Sequence, residues 1–285
     1  MLLLVRYGEI GLKSASVRRR FEQQLVSDIR RRHALAQLPC IISQSRGRIF
    51  VDSDDWRRSC EMLSRTFGVV SFSPVEKVSS EIVELTKAVA ECAKPLLFKG
   101  ASFAIRARRS GNHPYTSQTL AAELGSAVMD GYGHLSIKVN LGQPDVEIFV
   151  EVRDKNAYLF SSVLQGPGGM PLGSQGRLLS LIDSEAALAS TWLMMKRGCS
   201  VIVATADPSS ANPLDKWYPN LKRVPIEPDL LRLATQNECF GVGLPWGLEE
   251  IENRGALKGG LPVFYPLVGM SKEEIRGLTE RVVRG

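Results

Sequence analysis

Histidine is scarce in this 285-residue sequence and cysteine is scattered. The three histidines (His33, His113, His134) form no H-x-x-x-H, and the five cysteines (Cys40, Cys60, Cys92, Cys199, Cys239) form no C-x-x-C. Neither a structural zinc site nor a disulfide framework is suggested, and no metal site is expected. Small buried thiols are the simpler role for such cysteines. Long apolar runs are missing too. Met1 to Val5 is a very apolar start, but Arg6 interrupts it far short of the ~20 residues that a membrane span requires, and no signal-peptide cleavage pattern follows. A cytoplasmic protein with no membrane association is expected. The remaining composition, 44% hydrophobic and 23% charged residues, is that of a folded chain long enough for two or three cores. It excludes disorder and collagen-like order.

Net charge is +6, and its placement says more than its size. Residues 1 to 78 carry 14 Lys+Arg against 8 Asp+Glu; residues 79 to 165 carry 9 against 9, and residues 166 to 285 carry 13 against 13. The whole excess lies in the first quarter. Counterion release from a polyphosphate would exploit such a concentration, whereas a solvated helix face is the plainer alternative.

The apolar run Leu2 to Tyr7 reads as a buried strand. From Ser16 the period becomes helical, with Val17, Phe21, Leu25 and Ile29 on one stripe. The other faces carry Arg18-Arg19-Arg20 and Arg30-Arg31-Arg32, roughly 18 Å apart along a helix, a span compatible with successive phosphates. Cys40 to Ser43 and Arg48 to Asp52 read as strands around a basic turn at Ser45-Arg46-Gly47. A helix capped by Asp54 or Asp55 and a short strand from Gly68 to Pro74 complete a ferredoxin-like order over residues 1–75.

A second domain, residues 76–165, reads α, β, α, β, β, β. Its helices start at Ser79-Ser80-Glu81 and at Thr116 or Ser117, and its strands are Ser102 to Arg109, Leu135 to Leu141, Val146 to Val152 and Ala157 to Val163. In the first of these, alternation sets Phe103, Ile105 and Ala107 on one face and Arg106 and Arg108 on the other, two guanidinium groups about 7 Å apart with Arg109 beside them.

The glycine-rich stretch Gln165 to Gly176 reads as a linker or a ligand-approach loop. After it, residues 166–285 give strand Leu178 to Ile182, helix Glu185 to Arg197 and strand Val201 to Thr205, a βαβ start that implies a parallel sheet. Pro225 to Leu233 suits a third element, and Ser271 with Glu274 makes a capping box for a last helix. The fold class is therefore mixed α/β: a ferredoxin-like domain, a second α+β domain and a small Rossmann-like parallel sheet.

Four stretches, in order along the chain, resemble the tRNA 4-thiouridine synthetases. They are Arg6-Tyr7-Gly8-Glu9-Ile10-Gly11-Leu12-Lys13-Ser14; Phe103-Ala104-Ile105-Arg106-Ala107-Arg108-Arg109; Pro144-Asp145-Val146 leading on to Gly166-Pro167-Gly168-Gly169-Met170-Pro171-Leu172-Gly173; and Pro266-Leu267-Val268-Gly269-Met270-Ser271. The resemblance implies a ferredoxin-like domain, a THUMP domain and a PP-loop domain. In the family, the first two grip tRNA and the third uses ATP to adenylate a uridine for thiolation.

The third domain departs from that pattern. Where the family has SGGxDS, this chain runs Leu181-Ile182-Asp183-Ser184-Glu185, without either glycine. Asp183, Ser184 and Glu185 are expected to cap the helix themselves and to repel a phosphate. A carboxylate about 5 Å from a phosphate costs on the order of 3 kcal/mol at an effective dielectric near 20, roughly a hundredfold in affinity. The family's TGExxGQVASQT pattern reads Thr235-Gln236-Asn237-Glu238-Cys239-Phe240-Gly241 here, and no cysteine follows Cys239 where the family's sulfur-handling cysteine would lie. The domain is therefore expected to be a degenerate, truncated PP-loop domain without catalysis.

The expected RNA contacts are Lys13, Arg18, Arg19, Arg46, Arg48, Arg106, Arg108 and Arg109, each weighed against ordinary solvated surface. Leu181, Ile182, Asp183 and Ser184 mark the vestigial nucleotide site. Tyr115 and Phe72 could stack on bases, though core packing is the commoner role. Partners are expected to be tRNA or another structured RNA, with a separate catalytic protein and a homodimer left open. No cofactor is expected. The alternative is an active ATP-dependent tRNA sulfurtransferase, using ATP and Mg at an altered phosphate site.

Overall fold

The computed structural model describes every residue except Arg46 and Lys258, and the side chain of Glu9 is likewise left aside. The first elements are β1 (Leu2–Tyr7), α1 (Ala15–Leu35), β2 (Cys40–Ser45), β3 (Arg48–Ser53), α2 (Trp56–Leu63) and β4 (Val69–Ser79). Their strand order, β2-β3-β1-β4, is the ferredoxin-like arrangement. β4 runs on through Pro74 to Ser79 and is longer than the short strand expected from the sequence. There follow α3 (Ile82–Ala93), β5 (Ser102–Ser110), α4 (Ser117–Tyr132), β6 (Lys138–Val139), β7 (Val146–Arg153), β8 (Asn156–Phe160) and β9 (Leu164–Gln165). The expected strand Leu135 to Leu141 shrinks to β6, because Gly133–Leu135 forms a 3-10 turn and Ser136 takes a left-handed conformation.

The last third holds β10 (Arg177–Ile182), α5 (Ala186–Lys196), β11 (Ser200–Thr205), β12 (Lys222–Val224), α6 (Leu230–Gln236), β13 (Gly241–Gly243), α7 (Leu248–Arg254), β14 (Val263–Phe264) and α8 (Lys272–Arg284). The single element expected at Pro225 to Leu233 is replaced by β12 and α6 on either side of a proline-containing loop. Among the described residues no helix is long and apolar enough to cross a membrane.

The chain forms two compact units. One comprises Met1–Leu4, Phe50–Trp56 and Ser73–Leu164. In it the strand order is β4-β8-β7-β5-β6, with β5 parallel to β7 and β8 antiparallel to both β7 and β4. The alternation along β5 decides the faces: Phe103 and Ile105 join Ile148, Val150 and Val152 in a core closed by Leu85, Val89, Leu120, Leu124 and Val128 of α3 and α4. Arg106 and Arg108 lie on the opposite face, as the period-2 pattern requires.

The other unit comprises Val5–Ile49, Arg57–Phe72 and Gln165–Gly285. Its parallel sheet has the order β12-β11-β10-β13-β14, in register from Arg177 opposite Ser200 to Ile182 opposite Thr205. The first strand sits in the middle with the chain winding outward on both sides, a doubly wound topology. Three rings, Phe67, Trp192 and Trp217, meet at 5.4 to 5.7 Å between centroids in its core. α1 belongs to this unit. Arg32, buried at 4% exposure, pairs with Asp28 at 2.9 Å and donates to the carbonyls of Trp217 and Lys216, while Gln24 donates to the Leu172 carbonyl at 2.8 Å.

The glycine-rich stretch is an ordered strap within this unit. Gly166 and Gly168 donate to Val70 and Val69 at 2.9 and 2.8 Å, and Met170 donates to Lys196 at 2.9 Å. A Cβ on Gly169 would lie 2.2 Å from the Lys196 carbonyl oxygen, and one on Gly166 2.3 Å from that of Val69. Close approach of backbone to backbone accounts for Gly166 and Gly169, and the hydrogen bonds tie the stretch into the unit, so it is not a loose connector.

Candidate functional site

Three groups of expected site residues can be followed from sequence to geometry. In the first, Lys13 follows the 3-10 turn Glu9–Leu12 and is exposed, as are Arg18 and Arg19 at the start of α1. Arg48 opens β3 half-buried and donates to the Gly47 carbonyl at 3.0 Å. Arg46 lies outside the described residues. Behind these cations the Tyr7 hydroxyl donates to the Glu22 carboxylate. Burial first, and that carboxylate second, hold the phenol well above its ordinary range, with Arg18 and Arg48 opposing. Glu22 is thereby engaged with Tyr7.

The two arginine triplets have different fates. Arg30 is exposed, but Arg31 bonds Asp28 at 2.6 Å and lies over the Tyr218 ring, and Arg32 is the buried partner of Asp28. The span of two phosphate-binding triplets expected from helix rise therefore does not form, because two of the three C-terminal arginines hold the fold together.

The second group lies on β5. Arg106 is taken up by Glu147, at 2.8 Å from Nε, and by the Leu141 carbonyl at 2.8 Å. The expected pair of free guanidinium groups on one face is reduced to Arg108, which is exposed and has no ion-pair partner among the described residues. Arg109 is exposed on the other face, with one long contact to the Gly111 carbonyl at 3.4 Å. Glu147 was missed in sequence reasoning because it lies 41 residues from Arg106 and meets it only through the parallel β5/β7 register. Nearby, the N-terminus of α4 is closed by the Thr116/Thr119 capping box. Tyr115 donates to the Ser80 carbonyl and stacks on His113, and Phe72 is 1% exposed, so both aromatics serve packing.

The third group surrounds the carboxyl ends of the parallel strands. A crevice of about 860 Å³ opens there, lined by Ile182, Asp183, Ser184 and Glu185 after β10, by Thr205 to Asp207 after β11, and by Thr279, Glu280 and Arg284 of α8. Open α/β sheets bind ligands at this edge. Leu181 is not part of it: its side chain is buried on the other side, with Leu179, Ile202 and Val242. The expected self-capping of α5 does not occur either. Glu185 is the N-cap residue and already helical, no side chain caps it, and the first turn closes through Ala187 to the Ser184 carbonyl and Leu188 to the Glu185 carbonyl.

The charges of the crevice are nonetheless one-sided. Asp183, Glu185, Asp207 and Glu280 face a single guanidinium, Arg284, itself 3.4 Å from Glu280. Asp207 accepts from the Ser209 hydroxyl at 2.6 Å and its amide at 2.9 Å, and those bonds hold its carboxyl below the usual carboxylate range. The Asp207-Pro208 start of the following 3-10 helix is a cap signal present in the sequence but not singled out there. Burial pushes the Cys199 thiol up to about 11 and also raises that of Cys239. Among the described residues no group of three or more His, Cys, Asp or Glu is arranged to hold a metal ion.

Comparison with known proteins places two domains on the chain. Residues 2–73 match the ThiI ferredoxin-like domain and residues 79–162 match the THUMP domain. A probable tRNA sulfurtransferase of Methanobrevibacter smithii is 39% identical over 212 residues, 72% of this chain and 54% of the relative. One from Methanothermobacter thermautotrophicus is 39% identical over 215 residues, 72% of this chain and 52% of the relative. The chain thus spans about half the length of the curated relatives it matches. Among solved structures, PH1313 from Pyrococcus horikoshii Ot3 superposes with a TM-score of 0.84 at 28% identity, covering 99% of both chains. A 4-thiouridine synthetase crystallised with RNA and bound ATP shares the fold, with a TM-score of 0.77 at 20% identity over 99% of this chain and 84% of that one.

Proposed function

We propose that this chain, which carries a ThiI ferredoxin-like domain and a THUMP domain and is related to the tRNA sulfurtransferases, binds tRNA or a similarly folded RNA through those domains without itself adenylating or thiolating it. The observation that carries the reading is the turn Asp183-Ser184-Glu185 between β10 and α5. It puts two carboxylates, neither ion-paired among the described residues, where a glycine-rich loop would cradle phosphates. Asp207 and Glu280 add two more against Arg284. Four carboxylates against one guanidinium oppose a highly charged anion at this turn, so the residues present do not fit a polyphosphate. RNA binding in turn rests on Lys13, Arg18, Arg19, Arg108 and Arg109, all exposed. Recognition would be of shape and phosphate, since an A-form helix hides its base edges in a deep groove.

An active ATP-dependent sulfurtransferase with a rebuilt phosphate site is the second reading. The uncapped start of α5 favours it, because helix amides without side-chain partners are what an anion needs. Charge favours the first reading: helix amides attract any anion weakly, and the carboxylates beside them oppose a highly charged one.

The test of RNA binding is its salt dependence. A tRNA transcript should bind with an affinity falling steeply as salt rises, and replacing both Arg18 and Arg19 by Ala should flatten the log-log slope by about 2. A slope that is shallow in the unmodified chain, or unmoved in that variant, would contradict the assignment.

A further inference from the structure

The two arginines that share a face of β5 are met differently by the strand beside it. Resting on the reading that the chain binds RNA, we infer that Glu147 sets the strength of that binding: it occupies the Arg106 guanidinium and so withholds from the RNA a phosphate contact of the kind that Arg108 offers.

Alternation along β5 puts Arg106 and Arg108 on the face away from α3 and α4, about 7 Å apart. β7 lies parallel to β5 and carries two acids on that same face, Glu147 and Glu151. Asp145, just before β7, accepts from the Ser102 amide at 2.8 Å and from its hydroxyl at 2.6 Å, which pins the start of one strand to the start of the other. In that register Glu151 stands opposite Arg108. Glu151 is 4% exposed and accepts from Arg153 at 2.6 Å, so its charge is met along β7 itself. Arg108 is left exposed, with no ion-pair partner among the described residues.

Arg106 stands opposite Phe149, and Glu147 reaches it diagonally, accepting from Nε at 2.8 Å, while a second guanidinium nitrogen donates to the Leu141 carbonyl at 2.8 Å. The side chains of the pair are 35% and 39% exposed, so a phosphate can reach the guanidinium only past the carboxylate beside it. An ion pair this open to water contributes little to stability. Its effect falls instead on an approaching polyanion, because the guanidinium is neutralised and directed along the sheet. RNA affinity grows with each cation available to replace condensed counterions, and Arg106 is removed from that set while Glu147 holds it. A withheld cation lowers attraction to every polyphosphate, and so limits non-specific binding.

Filter binding of a tRNA transcript to the whole chain, between about 50 and 200 mM salt, tests this. Glu147→Gln keeps the shape and removes the charge; it should tighten binding by about tenfold and steepen the log-log salt slope by about 1. Adding Arg106→Gln to it should take both gains away. Glu123→Gln, at an exposed position of α4 on the other side of the sheet, makes the same change in net charge and should alter neither quantity. Thermal melts of these variants should match the parent. Unchanged or weaker binding by Glu147→Gln makes the pair structural and overturns the inference. A gain that survives the loss of Arg106, or that Glu123→Gln reproduces, is plain repulsion and overturns it too. The two readings fail separately: where the parent binds with a steep slope that Arg18→Ala with Arg19→Ala flattens, a silent Glu147→Gln sinks the inference alone, whereas a parent without salt-dependent binding sinks both.

Discussion

Arg30, Arg31 and Arg32 are adjacent in sequence and identical in chemistry, yet they differ completely in environment. Helical period assigns them to three directions. Arg32 shares the buried stripe with Asp28 and Ile29, and its guanidinium satisfies carbonyls of the Lys216–Trp217 turn. The i,i+4 relation of Asp28 and Arg32 is legible in the sequence. Burial of the pair is not, because it depends on a segment some 185 residues away. A buried pair that loses one partner leaves an uncompensated charge. Asp28→Ala should therefore cost about 3 kcal/mol or more in urea unfolding, while Arg30→Ala should stay within about 0.5 kcal/mol of the parent. Equal effects of the two would contradict the division of the triplet. Arg106 gives the same lesson, since its role as a phosphate contact or as a partner of Glu147 is decided by strand pairing and not by its own neighbours.

Among elements, hydrophobic periodicity is the most legible signal. The stripe Phe21, Leu25 and Ile29, the alternation along β5 and the βαβ start at β10 all stand where hydrophobic spacing puts them. Segments without a period are less legible. The strap from Gly166 to Gly176 has the composition of a linker, and only the structure distinguishes glycines needed for close approach from glycines that are merely permitted. Gly169 has φ +75° and would press a Cβ to 2.2 Å from the Lys196 carbonyl oxygen, whereas Gly168, at φ +67°, has nothing within 4 Å. Gly169→Ala should accordingly cost about 3 kcal/mol or more, combining left-handed strain with a backbone clash, and Gly168→Ala only about 1 to 2 kcal/mol. A flexible linker would show neither loss in thermal unfolding. The uncapped start of α5 is a similar case: Asp, Ser and Glu are favourable capping types, but Glu185 is already helical and no side chain of the turn reaches the cap.

For the molecule as a whole, the charge distribution and the order of elements point the same way. The basic excess confined to residues 1 to 78 coincides with the ThiI ferredoxin-like domain, and the neutral last third carries a doubly wound sheet whose ligand edge is acidic. On the proposed reading, the basic first quarter of the sequence would attract a nucleic acid and the acidic crevice would discourage a triphosphate. The most direct measurement is equilibrium dialysis of the tRNA-bound chain against labelled Mg-ATP. The tRNA should stay with the protein while ATP reaches the same concentration on both sides of the membrane. An excess of ATP on the protein side, lost on substituting Ser184, would contradict it.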